Sequence, residues 1–305
     1  MKTALQDVGP TAMHIAFIGF GEAARAFTAS LKPLGIERFS AYDIKQETPA
    51  SDEIENAAGE LGVELANGPV TAIEGADWII SAVTAASSLE AAQSVESGLK
   101  PDQVYVDINS VSAKRKQDTA SLVRGKGARY VDMAVMAPVH PRGHRTPVLV
   151  AGDHGGDIGD TLKRLDFAFR VTGDEVGAAT SIKMIRSLFV KGLEAITVQA
   201  ISAARQAGCY DEVYESLSGS YKVLGWPEYA EYQFERMMRH GVRRAAEMRE
   251  SANSMRELGF ANGGALADAI AGWHDEVGGL GCSGPEGADL ASIADVLLKA
   301  RKNQG

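Results

Sequence analysis

The stretch Ile15-Ala16-Phe17-Ile18-Gly19-Phe20-Gly21-Glu22-Ala23-Ala24 decides how this 305-residue chain is read. It compresses a buried strand, a glycine turn and a helix start. Gly19 permits the tight turn out of the strand, Gly21 lets the backbone approach a pyrophosphate with no side chain in the way, and Ala24 allows close helix-to-strand packing. Backbone N–H groups along Gly19, Phe20, Gly21, Glu22 and Ala23, at the start of the helix, would hold the phosphates. Two glycines alone can also mark a purely conformational turn. The context favours a dinucleotide. Arg38-Phe39-Ser40-Ala41-Tyr42-Asp43 reads as a second strand ending in an acid, about 20 residues beyond the glycines as the fingerprint requires. Asp43 would accept hydrogen bonds from the adenosine ribose hydroxyls and repel a 2′-phosphate. That favours NAD, with NADP left open by Lys45, whose charge partly offsets the acid.

The chain is 45% hydrophobic and long enough for two domains or one large one. Its net charge is −9 and it has no long basic run, which argues against nucleic acid or an anionic membrane as the main partner. A small molecule fits better. Met1 to Pro10 contains Asp7 and no apolar signal core, and no stretch approaches the roughly 20 apolar residues of a membrane span. A cytoplasmic protein is expected. Cys209 and Cys282 are isolated and read as small buried hydrophobes. No His/Cys/carboxylate group has ligand spacing, so no metal is expected.

Strand-length apolar runs alternate with helical patterns through the first half. After the two strands above come Val63-Glu64-Leu65, Asp77 to Val83, Val104 to Asp107, Arg129 to Asp132 and Val148 to Ala151. Helical stretches lie between them at Ser51 to Leu61, Ser87 to Val95 and Val111 to Arg124, the first with Ser51 as its N-cap. This predicts an α/β fold with a doubly wound sheet of the Rossmann type. Ligands in such sheets lie beyond the carboxyl ends of the strands, which places Val83-Thr84 and Asp107-Ile108-Asn109-Ser110 near a cofactor. Past Gly177 the strand signal disappears, with turn clusters around Gly219, Gly225-Trp226-Pro227, Gly263-Gly264 and Gly278 to Pro285. We therefore expect a nucleotide-binding domain over 1–175 and an all-α domain over 176–305, joined by a long helix from Val176 to Gln206 that stops at Gly208. Ile182, Ile185, Phe189, Leu193, Ile196 and Ala200 would form its apolar stripe.

On another face of that helix stand Lys183, Ser187 and Lys191, at i, i+4 and i+8. Hydride transfer to a carbonyl needs a proton donor for the developing alkoxide, and a partly desolvated lysine can serve. A solvated face, with Lys191 paired to Glu194, is the plainer alternative.

Taken with Gly19-Phe20-Gly21 and Asp107 to Ser110, the segment Gly177 to Ser187 resembles the β-hydroxyacid dehydrogenases, which include 3-hydroxyisobutyrate and 6-phosphogluconate dehydrogenases. Their G-x-x-x-K-x-x-x-N pattern is matched in Lys183, while its glycine lies two residues further back and its asparagine is replaced by Ser187. The resemblance implies NAD(P)-dependent oxidation of a small β-hydroxy acid or related alcohol, with Lys183 as general acid/base. Asn109 and Ser110 occupy the polar positions of the family's D-x-S-T strand end and, with Ser187, would position the substrate. Asp132 to Pro138 only loosely resembles the next substrate loop. The loop His140-Pro141-Arg142-Gly143-His144-Arg145 follows, either gripping an anionic substrate or forming a solvated hairpin tip. His240 aligns with the lysine of a K-D-L-x-x-A segment that reaches the active site in many relatives. Arg243 to Met248 resembles a less-characterised branch with its own C-terminal domain type (DUF1932-like). The family also implies a homodimer. Two other readings remain: a dinucleotide-responsive binding protein without turnover, and an imine reductase, whose members generally lack the lysine.

Overall fold

The computed structural model describes residues 13–36 and 38–303, so Met1 to Pro10, with Asp7, lie outside the described residues. The chain divides into two compact units, Met1–Lys183 and Met184–Gly305. Among the described residues of the first unit eight strands form one sheet: β1 (His14–Ile18), β2 (Arg38–Tyr42), β3 (Glu64–Leu65), β4 (Trp78–Ser81), β5 (Val104–Asp107), β6 (Arg129–Val135), β7 (Val148–Gly152) and β8 (Phe169–Gly173). Their order is β3-β2-β1-β4-β5-β6-β7-β8, with β1 to β6 parallel. β7 runs antiparallel to β6, and β8 is parallel to β7. The chain therefore crosses from one side of β1 to the other between β3 and β4. That switch leaves a crevice at the carboxyl ends of β1 and β4.

The central strands read as continuous apolar runs because both of their faces are covered. In β1, Ile15 and Phe17 join one core with Phe20, Phe27, Leu31 and Val106, while Ala16 and Ile18 join the other with Ile79, Tyr105, Tyr130 and Val123. Each large apolar side chain buried in this way contributes about 1.5–3 kcal/mol. The covering helices are α1 (Glu22–Leu31), α2 (Ser51–Leu61), α3 (Pro69–Ala72), α4 (Ser88–Val95), α5 (Ala113–Gly125) and α6 (Asp157–Arg164). α2 has the expected bounds, but its N-cap is Ala50 rather than Ser51. Upstream, the Thr48 hydroxyl accepts the Ala50 N–H and the Thr48 carbonyl accepts the Ser51 N–H, so a turn outside the helix satisfies its first N–H.

Two features went beyond the sequence reading. β8 and α6 were not anticipated, because β8 (Phe-Arg-Val-Thr-Gly) lies at the sheet edge and exposes Arg170 and Val171. The antiparallel turn into β7 follows from its connection, which carries only a short 3-10 turn, Gly143–Arg145, and no crossover helix.

A long helix, α7 (Ala178–Ala207), leads into α8 (Tyr210–Ser220), α9 (Glu228–Glu257), α10 (Ala261–Gly279) and α11 (Leu290–Lys302). Gly208 follows α7 with φ +74°, as expected of a helix stop. Gly219 and Gly263-Gly264, read as turns, lie inside α8 and α10. Val198, Ile201, Phe234, Met237, Met248 and Ile270 are among the residues that fill the core of the second unit. Cys209 and Cys282 are free thiols of intermediate exposure, so neither is fully buried as expected. No helix among the described residues is long and apolar enough to cross a membrane.

The faces of α7 are the main correction to the sequence reading. Ile185, Phe189 and Ile196 are 48%, 68% and 64% exposed, whereas Ser187, Lys191 and Glu194 are buried. An apolar stripe shows which face avoids water and not what covers it. Here the polar face is turned inward, because charged partners meet it there.

Candidate active site

At the glycine turn, Gly19 has φ +87°, and a Cβ there would stand 2.5 Å from the Ala82 carbonyl oxygen. Only glycine fits. Gly21 has an ordinary φ of −85° and caps α1, yet a Cβ there would meet nothing within 4 Å. Its missing side chain thus leaves open space at a helix N-terminus, where N–H groups and the helix dipole favour an anion. Glu22 is exposed, Ala23 is half-buried and Ala24 is buried against the strand.

Phe20, expected among the cofactor residues, sends its ring into the core and donates its N–H to Asp43 Oδ2 at 2.8 Å. Asp43 Oδ1 also accepts the Lys45 N–H at 2.9 Å. The acid at the end of β2 is thereby fixed to the glycine turn, with lone pairs left for further donors. These residues fit a dinucleotide: a sharp turn, an open helix N-terminus and an anchored acid.

Val83 and Thr84 follow β4, with Val83 half-buried and Thr84 exposed. The Val83 N–H donates to Asn109 Oδ1 at 2.8 Å, and Asn109 Nδ2 donates to the Ser81 hydroxyl at 2.9 Å. Asn109 is itself buried. Its amide ties the ends of β4 and β5 together. Ser110 is half-buried, and Lys183 Nζ donates to its hydroxyl at 2.5 Å. The two residues are distant in sequence and meet at the carboxyl end of β5. Ser187 lies one turn further along α7.

The loop of His140 to Arg145 divides. His144 is fully buried, its Nδ1 2.8 Å from the Ser30 hydroxyl of α1 and its ring edge-on to Phe167. Burial holds its pKa below the usual imidazole range. Arg145 Nε donates to Asp166 at 2.8 Å. His140, Pro141 and Arg142 are exposed, so within this loop it is His144 that clasps α1.

In the second unit, Lys191 pairs with Glu247 at 2.9 Å and not with Glu194. Glu194 is held by the guanidinium of Arg244, whose Nε donates to it at 2.8 Å. His274, fully buried beside this pair, donates Nε2–H to the Lys191 carbonyl at 3.2 Å. Burial is the main cause that pushes its pKa down to about 4. Below about pH 6.5 the unfolded chain takes up a proton there that the folded chain refuses, so stability falls as pH drops toward 4. We expect the wild type to lose about 3 kcal/mol more over that range than His274→Gln, an order-of-magnitude figure from the linkage relation. Denaturant unfolding of both proteins at each pH measures it, and parallel curves would contradict it. His240 is half-buried on α9, where burial and then Arg236 and Arg243 lower its pKa.

A conserved hypothetical protein from Sinorhizobium meliloti 1021 is 31% identical, with 98% of this chain and all of that chain covered at a TM-score of 0.71. The model of a domain of unknown function, DUF1932, matches residues 204–277, and that of NADP oxidoreductase coenzyme F420-dependent matches residues 14–110. Conserved protein MTH1747, noted for structural similarity with 3-hydroxyacid dehydrogenases, is 26% identical over 89% of this chain and 100% of that one, at a TM-score of 0.64. The chain belongs to the β-hydroxyacid dehydrogenase superfamily, in its DUF1932 branch. This is a superfamily of NAD(P)-dependent oxidoreductases. Its fold is shared with a Mycobacterium tuberculosis 3-hydroxyisobutyrate dehydrogenase at 17% identity and TM-score 0.68, covering 95% of this chain and 99% of that one. An imine reductase from Myxococcus stipitatus shares it at 17% identity and TM-score 0.56, covering 94% and 99%.

For this superfamily member the sequence reading missed the buried group of Lys116, Asp107 and Asp132 in the first unit and, separately in the second unit, the partners of Lys191 and Glu194: Glu247, Arg244 and His274. Lys116 sits in the run Lys114-Arg115-Lys116-Gln117-Asp118, which reads as a solvated face. No local signal marks it as buried.

Proposed function

We propose that the protein transfers hydride between NAD(P) and a small β-hydroxy acid or a related alcohol or carbonyl compound, with Lys183 as general acid/base. The observation that carries this reading is the hydrogen bond from Lys183 Nζ to Ser110 Oγ at the carboxyl end of β5. The bound nicotinamide supplies or accepts the hydride. When the alcohol is oxidised, Lys183 as a free amine takes the hydroxyl proton while the C–H electron pair leaves as hydride. When the carbonyl is reduced, the ammonium returns that proton to the forming alkoxide. Ser110 accepts from Lys183, and its own hydroxyl proton stays available for a substrate oxygen. Gly19, Gly21 and the N–H groups at the start of α1 would hold the pyrophosphate, and Asp43 the adenosine ribose.

A screen of hydroxy acids, aldehydes and cyclic imines with NAD and NADP tests the reaction class. Turnover of hydroxy acids or their carbonyl products supports the proposal. Imine reduction that survives loss of Lys183 would replace it with imine reductase chemistry, and nucleotide binding with no turnover would replace it with a sensor. Because Asp43 would repel a 2′-phosphate, calorimetry is expected to give tighter binding of NAD than of NADP.

A homodimer through α7 is part of the same proposal, supported by the exposed Ile185, Phe189 and Ile196. Sedimentation is expected to show a dimer that Phe189→Asp dissociates. A monomeric wild type would remove the idea.

A further inference from the structure

The geometry points to Lys116, Asp107 and Asp132 as positioning residues for Lys183: one buried ammonium links a carboxylate that fixes the Ser110 strand end to a carboxylate that fixes the first turn of α7. The inference rests on the role proposed for Lys183.

Lys116 is fully buried on α5. Its Nζ donates to the Asp107 carbonyl at 2.6 Å and lies 3.0 Å from Asp107 Oδ1 and 3.5 Å from Asp132 Oδ1. On one side, the Asp107 carboxylate accepts the Asn109 N–H at 2.9 Å and the Tyr130 hydroxyl at 2.7 Å. Those bonds fix the turn that presents Ser110. On the other side, Asp132 Oδ2 accepts the N–H groups of Gly177 at 3.1 Å and Thr180 at 3.2 Å. The Thr180 hydroxyl then donates to the Val111 carbonyl at 2.5 Å, one residue beyond Ser110. Lys183 follows Thr180 by three residues, about one helical turn. Both partners of the Lys183–Ser110 contact are therefore tied to one cation.

The cation has a physical reason to be there. Two carboxylates buried together cannot both stay ionised without it. Burial, with Asp107 beside it, pushes the Asp132 carboxyl up, and Lys116 and the two N–H groups offset only part of that rise. An ionised Asp132 makes charge-assisted bonds to the positive end of α7, which a protonated one would weaken.

The test uses the full chain with Asp132→Ala, which removes both the acceptor and the charge, and Asp132→Asn, which keeps an acceptor oxygen. Acetic anhydride labelling of Lys183 is followed by mass spectrometry, with exposed Lys45 as the internal reference, and NAD binding is titrated by calorimetry. Asp132→Ala is expected to speed Lys183 labelling relative to Lys45 by about tenfold, the effect of one lost helix cap. Asp132→Asn should fall between Asp132→Ala and wild type, and NAD affinity should stay within about twofold in both. An unchanged labelling ratio, or a parallel loss of NAD affinity, would overturn the inference. If Asp132→Ala does not fold, the same ratio in Asp132→Asn decides. Labelling needs no substrate, so a failure here is distinct from a failure of the catalytic reading, which turnover reports. With a substrate in hand, Asp132→Asn should lower kcat without moving KM for NAD, and should slow Lys183→Ala no further.

Discussion

Lys183→Ala is expected to lower kcat by about 10²–10⁴-fold, the range for removing a general acid/base, while NAD affinity stays near wild type. The division follows from geometry. Lys183 Nζ reaches Ser110 beyond β5, whereas the nucleotide features are the glycine turn after β1 and Asp43 after β2. Loss of the amine removes the group proposed to take or return the hydroxyl proton, and nothing that packs against the turn. Lys183→Arg should recover little, because a guanidinium does not give up a proton in this pH range and cannot accept one from an alcohol. Turnover of Lys183→Ala within a few-fold of wild type, with normal NAD titration, would remove Lys183 from the chemistry.

Such a prediction could be written from the sequence because some features are local. β1, β4 and β5 are short, almost wholly apolar runs, and Gly19 marks the turn between a strand and a helix whose Ala24 packs inward. Each is set by neighbours a few residues away. The position of Lys183 on a long helix was equally readable from its spacing. What covers a helix face is set by register between distant elements, which spacing cannot report. The stripe of Ile185, Phe189 and Ile196 is the clearest case: its period identifies a face but not its partner, and the polar face of Lys191 and Glu194 is the one that meets Glu247 and Arg244. Asn109 shows the same limit within the site. Its type and place suggest a substrate contact, but only the packing of β4 beside β5 shows that its amide is used on Val83 and Ser81. His144 reads in sequence as part of a cationic loop, whereas its ring packs beside Ser30 of α1.

Gly21→Val should separate folding from nucleotide binding. A Cβ at Gly21 meets no atom within 4 Å and the residue has φ −85°, so the folded chain has room for a side chain. Its melting temperature should stay close to wild type, as for substitutions that touch no packed neighbour. The same open space is where the pyrophosphate would lie on the N-terminus of α1. A branched side chain there would hold the phosphates away from the backbone N–H groups. Losing one or two hydrogen bonds to a charged group, at about 1.5–3 kcal/mol each, weakens NAD by roughly a hundredfold. Gly19→Ala acts by another route: the turn needs φ +87°, and the new methyl would press on the Ala82 carbonyl, so it should lower thermal stability as well as NAD affinity. Calorimetric titration of NAD and thermal unfolding of the two variants give a two-by-two result. Stability kept and binding lost in Gly21→Val, with both reduced in Gly19→Ala, is the pattern of a turn whose first glycine is required by the protein and whose second is required by the ligand. If Gly21→Val bound NAD as wild type does, the phosphates would have to lie elsewhere, and the glycine turn would be a conformational feature alone.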